Sequence, residues 1–391
     1  MFMKHLLTIA LSFITVSIQA QLFSGDGYYR GHNFVTERYI YVYDNTGKIN
    51  WTALDAEMGA IELWKEVDYH SRFSDPASVV YMEKHGSQYD FQCQGMGIHK
   101  MFNQYITLQV GKKDGIDYYS FSVTKDGVKK SLYDGTKSVF SAEGYLRTTG
   151  SGDYGKWVIA KVDIDDEWFG INPSIEVNGK FYHPFYADFG FTPVSDDMKV
   201  WYISVVDTAG AVLKEFTGDV VPANMPVLIE CTSGNPKQNK LDLKYYKESG
   251  PADNKLKGVY FNNIIRKGLS VDAATEFDKS SMRVLGVTQD GRLGYILSKE
   301  TPVQGKQYLA ANQSYLVVDA DCPSEIPVIT EAEYEEILAN RSDAAVHVVS
   351  YSTPKEVYSI SGRFIGKMTA DEIKKLSPGV YIIGRRKVTV E

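Results

Sequence analysis

Residues 200–206 read VWYISVV, residues 207–210 read DTAG, and residues 212–216 read VLKEF. β-Branched and aromatic side chains fit a pleated, half-buried strand, and a short polar segment containing glycine favours a tight turn. The stretch therefore predicts a β-hairpin. Short strands separated by glycine-containing turns recur along most of the chain, so the sequence predicts a mainly β fold.

Two similar phrases follow this hairpin. Residues 223–229 read ANMPVLI and residues 311–317 read ANQSYLV. In each phrase an asparagine, Asn224 or Asn312, precedes an apolar strand, and asparagine tolerates the left-handed backbone conformation better than most residues. The repetition predicts two related sheet halves, and hence one β-sandwich or barrel-like domain over residues 165–340.

Both ends of this domain carry polar boundary signals. Residues 163–167 read DIDDE; the alternate acids are similar to a calcium loop, but Trp168 stands where such a loop needs glycine, so we expect a solvated linker. At the other end, residues 330–333 read TEAE, a capping box that predicts a short helix over 334–338. The polar residues 340–343 are expected to form a linker.

The segment before this domain contains three hairpin-rich units. The first pairs residues 27–30 with 38–43, the second pairs 79–83 with 89–93, and the third begins at 118–123. Their regular spacing predicts a pseudo-threefold arrangement whose hairpins are headed by Tyr28, Tyr81 and Tyr119. Residues 52–70 have a helical pattern, which predicts a helix inserted in the first unit.

The motif that begins this segment, G-Y-Y-R-x-x-N followed by R-Y-I, together with a strand at Trp157, resembles a ricin-type β-trefoil over residues 22–164. That resemblance implies a trefoil fold and carbohydrate binding. The family's sugar-binding signature is not matched, because Tyr41 stands near the expected acidic position and Lys156 precedes Trp157 without the glutamine two places before it.

Three aromatic residues near the first hairpin, Tyr41, Tyr43 and Trp51, are candidate ligand-binding residues. Their rings offer a flat apolar face on which a sugar can stack. The alternative is that they pack in the core or between strands.

The carboxyl-terminal residues form a separate unit. Residues 357–363 read VYSISGR, residues 369–372 read TADE, another capping pattern, and residues 376–383 read LSPGVYII. Two short strands with glycine-containing turns predict a small sheet. Gly362 and Gly379 are both expected to hold backbone conformations that are costly for a residue with a Cβ atom.

This tail resembles the C-terminal sorting domain of type IX secretion cargo, over residues 345–391. The resemblance implies recognition by an export machinery, with Gly362, Arg363, Gly379 and Tyr381 as residues of the sorting signal. It carries no enzymatic activity with it.

The amino terminus predicts a secretory signal peptide over residues 1–20. Lys4 precedes the apolar run Leu6 to Val16, and small residues follow, with cleavage expected between Ala20 and Gln21. An uncleaved anchor is the alternative. With a cleaved signal we expect no transmembrane span in the mature chain, and delivery through the periplasm to the outer cell surface or the medium.

Composition narrows the function classes. The chain carries a net charge of -7, which argues against a nucleic-acid partner because phosphate binding needs clustered Lys and Arg. The 3 cysteines, Cys93, Cys231 and Cys322, are widely spaced; at most one disulfide can form among them, and free buried thiols are the favoured alternative.

The sequence contains none of the usual catalytic, metal or nucleotide-binding motifs, so no cofactor and no metal are predicted. Cys93 paired with His85 or His99 is a formal protease candidate, although the alternation of its strand favours a core cysteine. Three hypotheses follow: a non-catalytic binding or adhesion protein for a glycan or host surface, a secreted hydrolase acting on polysaccharide or protein, and a structural surface component.

Deletion of residues 345–391 tests the sorting hypothesis. We expect the truncated protein to accumulate in the periplasm with an unchanged thermal transition, because a small terminal sheet contributes little to separate cores. Cell fractionation and thermal melting check both points. Normal surface delivery contradicts the hypothesis, and periplasmic aggregation with a lowered transition indicates that the tail covers a sheet edge instead.

Overall fold

The computed structural model describes residues 25–42, 61–65, 69–97, 105–125, 127–135, 143–147, 150, 152–261, 275–300, 302, 305–320, 322–344, 354–373, 375–383 and 386–390. Of the described residues, 49% lie in strands and 10% in helices, and the sheets curl into half-barrels. The predicted mainly β architecture is confirmed.

The amino-terminal module is one sheet of 12 strands. Its strands are β1 (Gly27–Asn33), β2 (Arg38–Val42), β3 (Ile61–Lys65), β4 (Val80–His85), β5 (Gln88–Cys93), β6 (Met96–Gly97), β7 (Thr107–Lys113), β8 (Ile116–Lys125), β9 (Val128–Ser131), β10 (Tyr133–Asp134), β11 (Glu143–Arg147) and β12 (Trp157–Lys161). They follow the order β10-β11-β3-β2-β1-β12-β8-β7, while β4 also pairs with β1 and with β5, β6 pairs with β5, and β9 pairs with β8.

Two of the predicted hairpins are confirmed, since β1 pairs with β2 and β4 with β5. The partner of β8 was not predicted. It is β7, reached through a two-residue turn at Asp114 and Gly115, whose φ angles of 52° and 83° suit a type I′ turn. Tyr28 and Tyr81 are direct cross-strand partners, and Tyr119 lies opposite Trp157. The pseudo-threefold relation remains a prediction.

The helix predicted over residues 52–70 is wrong at residues 61–65, and only its last two residues, 69 and 70, lie in a helix. Residues 61–65 form β3, which pairs with β2 on one side and β11 on the other. A short apolar run fits both a helix and a strand, and here pairing on both edges satisfies the backbone groups. A short helix α1 (Tyr69–Ser74) and a 3-10 turn (Pro76–Ser78) follow.

The middle module contains two sheets. A small one has the order β13-β20-β16, with β13 (Phe169–Gly170), β16 (Gly190–Pro193) and β20 (Lys240–Lys244). The large one has the order β14-β15-β19-β17-β18-β25-β23-β22-β24-β21, with β14 (Ile175–Val177), β15 (Lys180–Phe185), β17 (Lys199–Val206), β18 (Ala211–Glu215), β19 (Val227–Cys231), β21 (Leu256–Val259), β22 (Met282–Val287), β23 (Leu293–Ile296), β24 (Gln313–Val317) and β25 (Glu325–Thr330).

The predicted hairpin is confirmed, and so is the left-handed conformation predicted for the asparagine of each repeated phrase. β17 and β18 pair through the turn at residues 207–210, with a bulge between Ile203 and Val205. Asn224 and Asn312 have φ angles of 63° and 55°, so both adopt the left-handed conformation. Each precedes a strand with a buried centre, β19 and β24.

Helix α2 (Glu331–Ala344) closes the middle module. The capping box is confirmed, because the Thr330 amide donates to the Glu333 carboxylate at 2.7 Å and the Glu333 amide donates to Thr330 Oγ1 at 3.2 Å. The linker predicted at residues 340–343 is wrong, because those residues continue the helix.

The carboxyl-terminal module is a four-stranded sheet with the order β27-β26-β28-β29, formed by β26 (Lys355–Ser359), β27 (Phe364–Met368), β28 (Gly379–Ile383) and β29 (Arg386–Val390), with helix α3 (Ala370–Ile373) between β27 and β28. Gly362 has a φ of 83°, which confirms its predicted conformation. The same prediction is wrong for Gly379, where φ is not in the left-handed region and an added Cβ would meet its nearest atoms at 3.6 Å.

The hydrophobic cores of the first two modules each contain residues of the other module. Tyr28 and Val79 of the first module belong to the buried cluster of the middle module, while Phe261 of the middle module belongs to the cluster of the first. The carboxyl-terminal sheet has a small core of its own at Val357, Ile373 and Ile383.

A buried ion pair in the first module gives a stability prediction. The side chains of Arg38 and Asp134 are both 0% exposed, and Arg38 Nε donates to Asp134 Oδ2 at 2.9 Å. Asp134→Ala leaves the Arg38 guanidinium buried without this partner, so we expect the free energy of unfolding to fall by about 3–5 kcal/mol. Urea unfolding followed by tryptophan fluorescence measures the change.

The matched control is Glu276→Ala, which removes an exposed pair with Lys306 at 2.8 Å. We expect a loss below about 1 kcal/mol there, because water screens the two charges. Equal losses of unfolding free energy in the two variants would show that the buried pair of Arg38 and Asp134 stabilises the fold no more than an exposed pair does.

Candidate functional site

The segment that links β15 to β16 is held by both repeated phrases of the sequence. The Tyr186 amide donates to the Asn312 carbonyl at 3.0 Å, and Asn312 Nδ2 donates back to the Tyr186 carbonyl at 3.0 Å. The Asn224 amide donates to the Ala187 carbonyl at 2.9 Å. Two loops more than eighty positions apart in the chain therefore fix one short segment.

Asn312 also ties this segment to the first module. Its side chain and that of Gln94 exchange two hydrogen bonds of 2.8 Å each, and both residues are buried. Gln94 lies in the turn between β5 and β6 with a φ of 55°. The next residue, Gly95, donates its amide to Asp188 Oδ2 at 2.9 Å. The turn between β5 and β6 of the first module thus contacts the Asp188 carboxylate of the middle module.

Asp188 is half-buried at this contact. Partial withdrawal from water raises the pKa of its carboxyl to about 6, against the opposing effects of the hydrogen bond from Gly95 and the positive charge of Lys247. Perturbed carboxyls of this kind concentrate at functional sites. Asp188 and the side chains around it are therefore the candidate functional site.

On one side of Asp188, two tyrosine rings pack against glycines. The ring centroids of Tyr186 and Tyr260 lie 4.6 Å apart. A Cβ atom at Gly258 would lie 2.1 Å from the Tyr186 ring, and one at Gly95 would lie 3.1 Å from the Tyr260 ring. Glycine at Gly258 is thus required for the close approach of the Tyr186 ring.

On the other side, three tyrosines form a ladder that runs to the surface. Tyr28 and Tyr81 lie 5.0 Å apart, and the rings of Tyr81 and Tyr245 are stacked at 4.4 Å. Tyr245 is 50% exposed, and Lys247 Nζ lies 4.6 Å above its ring. The whole arrangement is called the tyrosine seam below; it consists of Asp188 with Tyr28, Tyr81, Tyr186, Tyr245 and Tyr260.

The hydroxyl groups of Tyr28, Tyr81 and Tyr260 stay protonated. Burial, followed by the charge of Asp188, raises the pKa of Tyr28 and of Tyr260 far above the ordinary tyrosine value. Burial also raises the pKa of Tyr81 to about 12. At physiological pH the seam therefore offers neutral hydroxyls, aromatic faces and one carboxylate.

Cys93 lies in the hydrophobic core of the first module, as the alternation of its strand predicts. It is buried, and its Sγ lies 3.4 Å from the Ala77 carbonyl. Burial, with the charges of Asp188 and Asp75, holds its pKa well above the ordinary thiol value, which opposes formation of a nucleophilic thiolate. Cys231 is buried as well and is not in a disulfide, whereas Cys322 is half-buried, so the prediction of free buried thiols is confirmed for Cys93 and Cys231.

His85, the candidate partner of Cys93 that the structure describes, contacts other side chains. The His85 ring stacks on Tyr105 at 4.4 Å, and its Nε2 lies 3.3 Å from Glu83 Oε2. Burial lowers the pKa of both His32 and His183 to about 4, so both are neutral at physiological pH. His99 lies outside the described residues.

The predicted ligand platform is only partly described. Tyr41 lies on β2 and is 7% exposed, so its ring is not open to a ligand here. Tyr43 and Trp51 lie outside the described residues, as do Ala20 and Gln21 of the signal cleavage site. In the tail, Gly362 and Arg363 are exposed, Gly379 is half-buried, and the half-buried Tyr381 donates its hydroxyl to the Ser377 carbonyl at 2.7 Å.

Within the described ranges, no group of three or more His, Cys, Asp or Glu side chains is placed to hold a metal ion. In the predicted linker 163–167, Asp163 Oδ1 instead accepts hydrogen bonds from the amides of Asp165 and Glu167 at 2.8 and 3.2 Å.

No helix among the described residues is long and apolar enough to cross a membrane.

Sequence reasoning missed Asp188 and Tyr245. Their sequence signals are weak: Asp188 is a lone acid in the apolar run 185–191, and Tyr245 belongs to the triplet YYK at 245–247.

Compared with known proteins, the chain matches no protein-family model and no curated protein.

Replacement of Asn312 tests the contact that builds the site. Asn312→Ala removes the partner of Gln94 and places a Cβ-bearing residue without a polar side chain at a φ of 55°. We expect the free energy of unfolding to fall by about 2–4 kcal/mol, from backbone strain together with the unsatisfied Gln94 amide. Denaturant unfolding measures the loss.

Asn178→Ala is the matched control. Asn178 has nearly the same φ, 53°, but lies in an exposed hairpin turn. Its replacement isolates the backbone strain, which we expect to cost about 1 kcal/mol. If the two variants lose the same amount, the amide pair between Gln94 and Asn312 contributes nothing.

Proposed function

We propose that this chain is an exported, non-catalytic binding protein whose tyrosine seam recognises carbohydrate. The observation that carries the proposal is the ladder Tyr28–Tyr81–Tyr245, which ends in a half-exposed aromatic ring. Aromatic faces stack against the apolar faces of sugars, and nearby polar groups fix the orientation of the hydroxyls.

The construction of the seam supports binding at a prepared surface. Its rings are held by close packing, as the Tyr186 ring is on Gly258, and by hydrogen bonds, as the Tyr28 hydroxyl is to the Lys244 carbonyl at 3.3 Å. Side chains already ordered before a ligand arrives lose little conformational entropy when it binds.

The contribution of both modules to the seam also supports this location. Tyr28 and Tyr81 come from the first sheet, while Asp188 and Tyr245 come from the middle module. Ligand sites occur preferentially where two such units meet.

Export is the second part of the proposal. It rests on the predicted signal peptide and on the tail, whose four strands enclose a small core of their own at Val357, Ile373 and Ile383. The ligand is then a glycan of the surroundings or of a host surface. A structural role at the outer surface uses the same export route and predicts no ligand at the seam.

A hydrolase acting on polysaccharide is the second candidate, favoured by the pKa of Asp188 near 6, which suits a general acid. Such an enzyme needs a second carboxyl about 5–10 Å away. Release of reducing ends from a polysaccharide, abolished by Asp188→Asn, would replace the binding proposal by this one.

Tyr245→Ala tests the carbohydrate site. Removing the outer ring exposes Tyr81 but leaves the buried part of the ladder, so we expect the fold to be retained and glycan affinity to fall by about tenfold, or ~1.4 kcal/mol. A glycan array identifies the ligand, and isothermal titration calorimetry with the best glycan measures the change.

Tyr246→Ala is the control, because Tyr246 is a neighbouring tyrosine of similar exposure, 37%, outside the seam. We expect its affinity to remain that of the unmodified protein. Equal behaviour of the two variants would place the glycan elsewhere.

A further inference from the structure

Strands β7, β8 and β9 form one end of the first sheet, and the two faces of this end differ. Tyr119 and Phe121 of β8 are buried in the core of the first module. Because side chains alternate along a strand, the register of β7 against β8 places Gln109 and Lys113 on the opposite face. Apart from Ser122, the described strand residues on that face are half-buried or exposed, and none of them is acidic.

Lysines outnumber aspartates at this end of the sheet. The charged side chains that the structure describes there are Lys112, Lys113, Lys129, Lys130 and Lys156, with Asp114, Asp117 and Asp153. The chain as a whole carries a net charge of -7, so this end differs from it in sign. An anionic ligand is therefore attracted to this part of the surface.

Two of the ammonium groups share one carboxylate. Lys113 Nζ donates to Asp153 Oδ2, and Lys156 Nζ lies 2.6 Å from Asp153 Oδ1. The hydrogen bonds from Lys113 and Lys156 lower the pKa of Asp153, so this carboxyl is ionised at physiological pH. One carboxylate thus holds two positive charges side by side without neutralising both.

Aromatic rings fix the same two ammonium groups. Lys156 Nζ lies 4.6 Å from the centre of the Tyr118 ring. Lys113 Nζ lies 5.7 Å from the centre of the Phe34 ring, and the two rings meet edge to face at 6.3 Å. The Tyr118 ring lies across Gly111 of β7, where a Cβ atom would be 2.3 Å from it. These cation–π contacts hold the charges in place before a ligand arrives.

A third ammonium lies farther along the same face. Lys129 of β9 reaches across β8 and donates to Gln109 Oε1 of β7 at 3.0 Å. Gln109 is neutral, so this hydrogen bond leaves the lysine charge uncompensated. Gln109 and Lys113 are four residues apart on β7, which is about 14 Å in an extended strand. Ser120 and Thr124 add neutral hydroxyl groups to the face.

From this geometry we propose that the surface, called the lysine face below, binds the acid groups of an acidic polysaccharide. The lysine face consists of Gln109, Lys113, Tyr118, Lys129, Asp153 and Lys156. Cations at two separated points complement a polymer that carries acid groups at intervals, and the neutral polar side chains suit its hydroxyls. The inference adds a second site to the proposed carbohydrate binding and rests on that proposal for the class of ligand.

An anionic membrane fits this end of the sheet less well. The exposed apolar side chains of the hairpin, Val110 and Ile116, lie on opposite faces because Val110 pairs with Tyr119 and Ile116 is three residues before Tyr119. A protein that lies on a membrane needs its apolar side chains on one face.

The test compares two oligosaccharides of equal length, an oligogalacturonate and its methyl ester, by isothermal titration calorimetry with the mature full chain at low ionic strength. Esterification removes the negative charges and keeps the sugar rings. We expect the acid form to bind at least about tenfold more tightly, in line with charge-assisted hydrogen bonds. Its affinity is expected to fall as salt is added, because salt screens exposed charges.

Lysine variants assign the binding to this face. Lys113→Met and Lys129→Met are each expected to weaken binding of the oligogalacturonate about three- to tenfold, with the thermal transition retained. Lys112→Met is the matched control, because Lys112 lies on the other face of the same strand and pairs with Asp117 at 3.5 Å. We expect its affinity to remain that of the unmodified protein. Equal losses for Lys112→Met and Lys113→Met would reduce the effect to overall charge and overturn the inference.

Phosphatidylglycerol vesicles and a DNA duplex serve as alternative polyanions. We expect neither to compete with the oligogalacturonate at equal charge concentration. Binding of either one that is lost in Lys113→Met and Lys129→Met to the same degree would overturn the assignment to polysaccharide.

The two proposals fail in different ways. If the acid and the ester bind equally, the lysine face is not a binding site, and the carbohydrate proposal still stands on the response of its glycan to Tyr245→Ala. If the lysine variants weaken the oligogalacturonate and no arrayed glycan responds to Tyr245→Ala, the tyrosine seam is overturned as a site and the lysine face remains.

Discussion

The Arg30 guanidinium joins the first two modules. Arg30 lies on β1 and is 0% exposed, and it donates to the carbonyls of Glu167 and Trp168 at 2.9 and 3.2 Å and to Ser78 Oγ at 3.3 Å. Burial lowers its pKa to about 10, which leaves it charged at physiological pH. Because a buried charge requires partners, the segment that connects the modules is fixed against the first sheet.

The position of the tyrosine ladder follows from the same strand. Side chains two residues apart on a strand share a face, so Tyr28 and Arg30 point to the middle module while Tyr29 packs in the core of the first. Tyr28 then meets Phe189, the residue after Asp188, at 5.9 Å. Strand β1 thus supplies both the inner end of the ladder and Arg30, which also forms an ion pair with the Glu167 carboxylate at 3.3 Å.

Features that depend on residues adjacent in the sequence could be predicted, whereas contacts between distant segments could not. The capping box at Thr330 and the left-handed asparagines Asn224 and Asn312 depend on a few adjacent residues, and the structure confirms them. Strand β3 was predicted as a helix because its partners are brought to it only by the folded sheet. Asp188 was missed for the same reason, since its neighbours Tyr28, Gly95, Lys247 and Tyr260 come from distant parts of the chain.

The charge of Asp188 argues for a functional seam more strongly than its packing does. The same contacts with Gly95 form with a neutral side chain, whereas a carboxyl whose pKa is raised to about 6 is stabilised in the folded state below that pH, and this contribution is lost as the pH rises through it. At physiological pH the fold therefore carries a charged group that costs stability. Arg38 and Asp134 show the contrasting case of a buried charge neutralised inside the fold. The amide of Gly95 and the charge of Lys247 offset part of this cost, but the pKa of Asp188 stays above the ordinary carboxyl value, so the contacts of the folded chain do not compensate its charge in full.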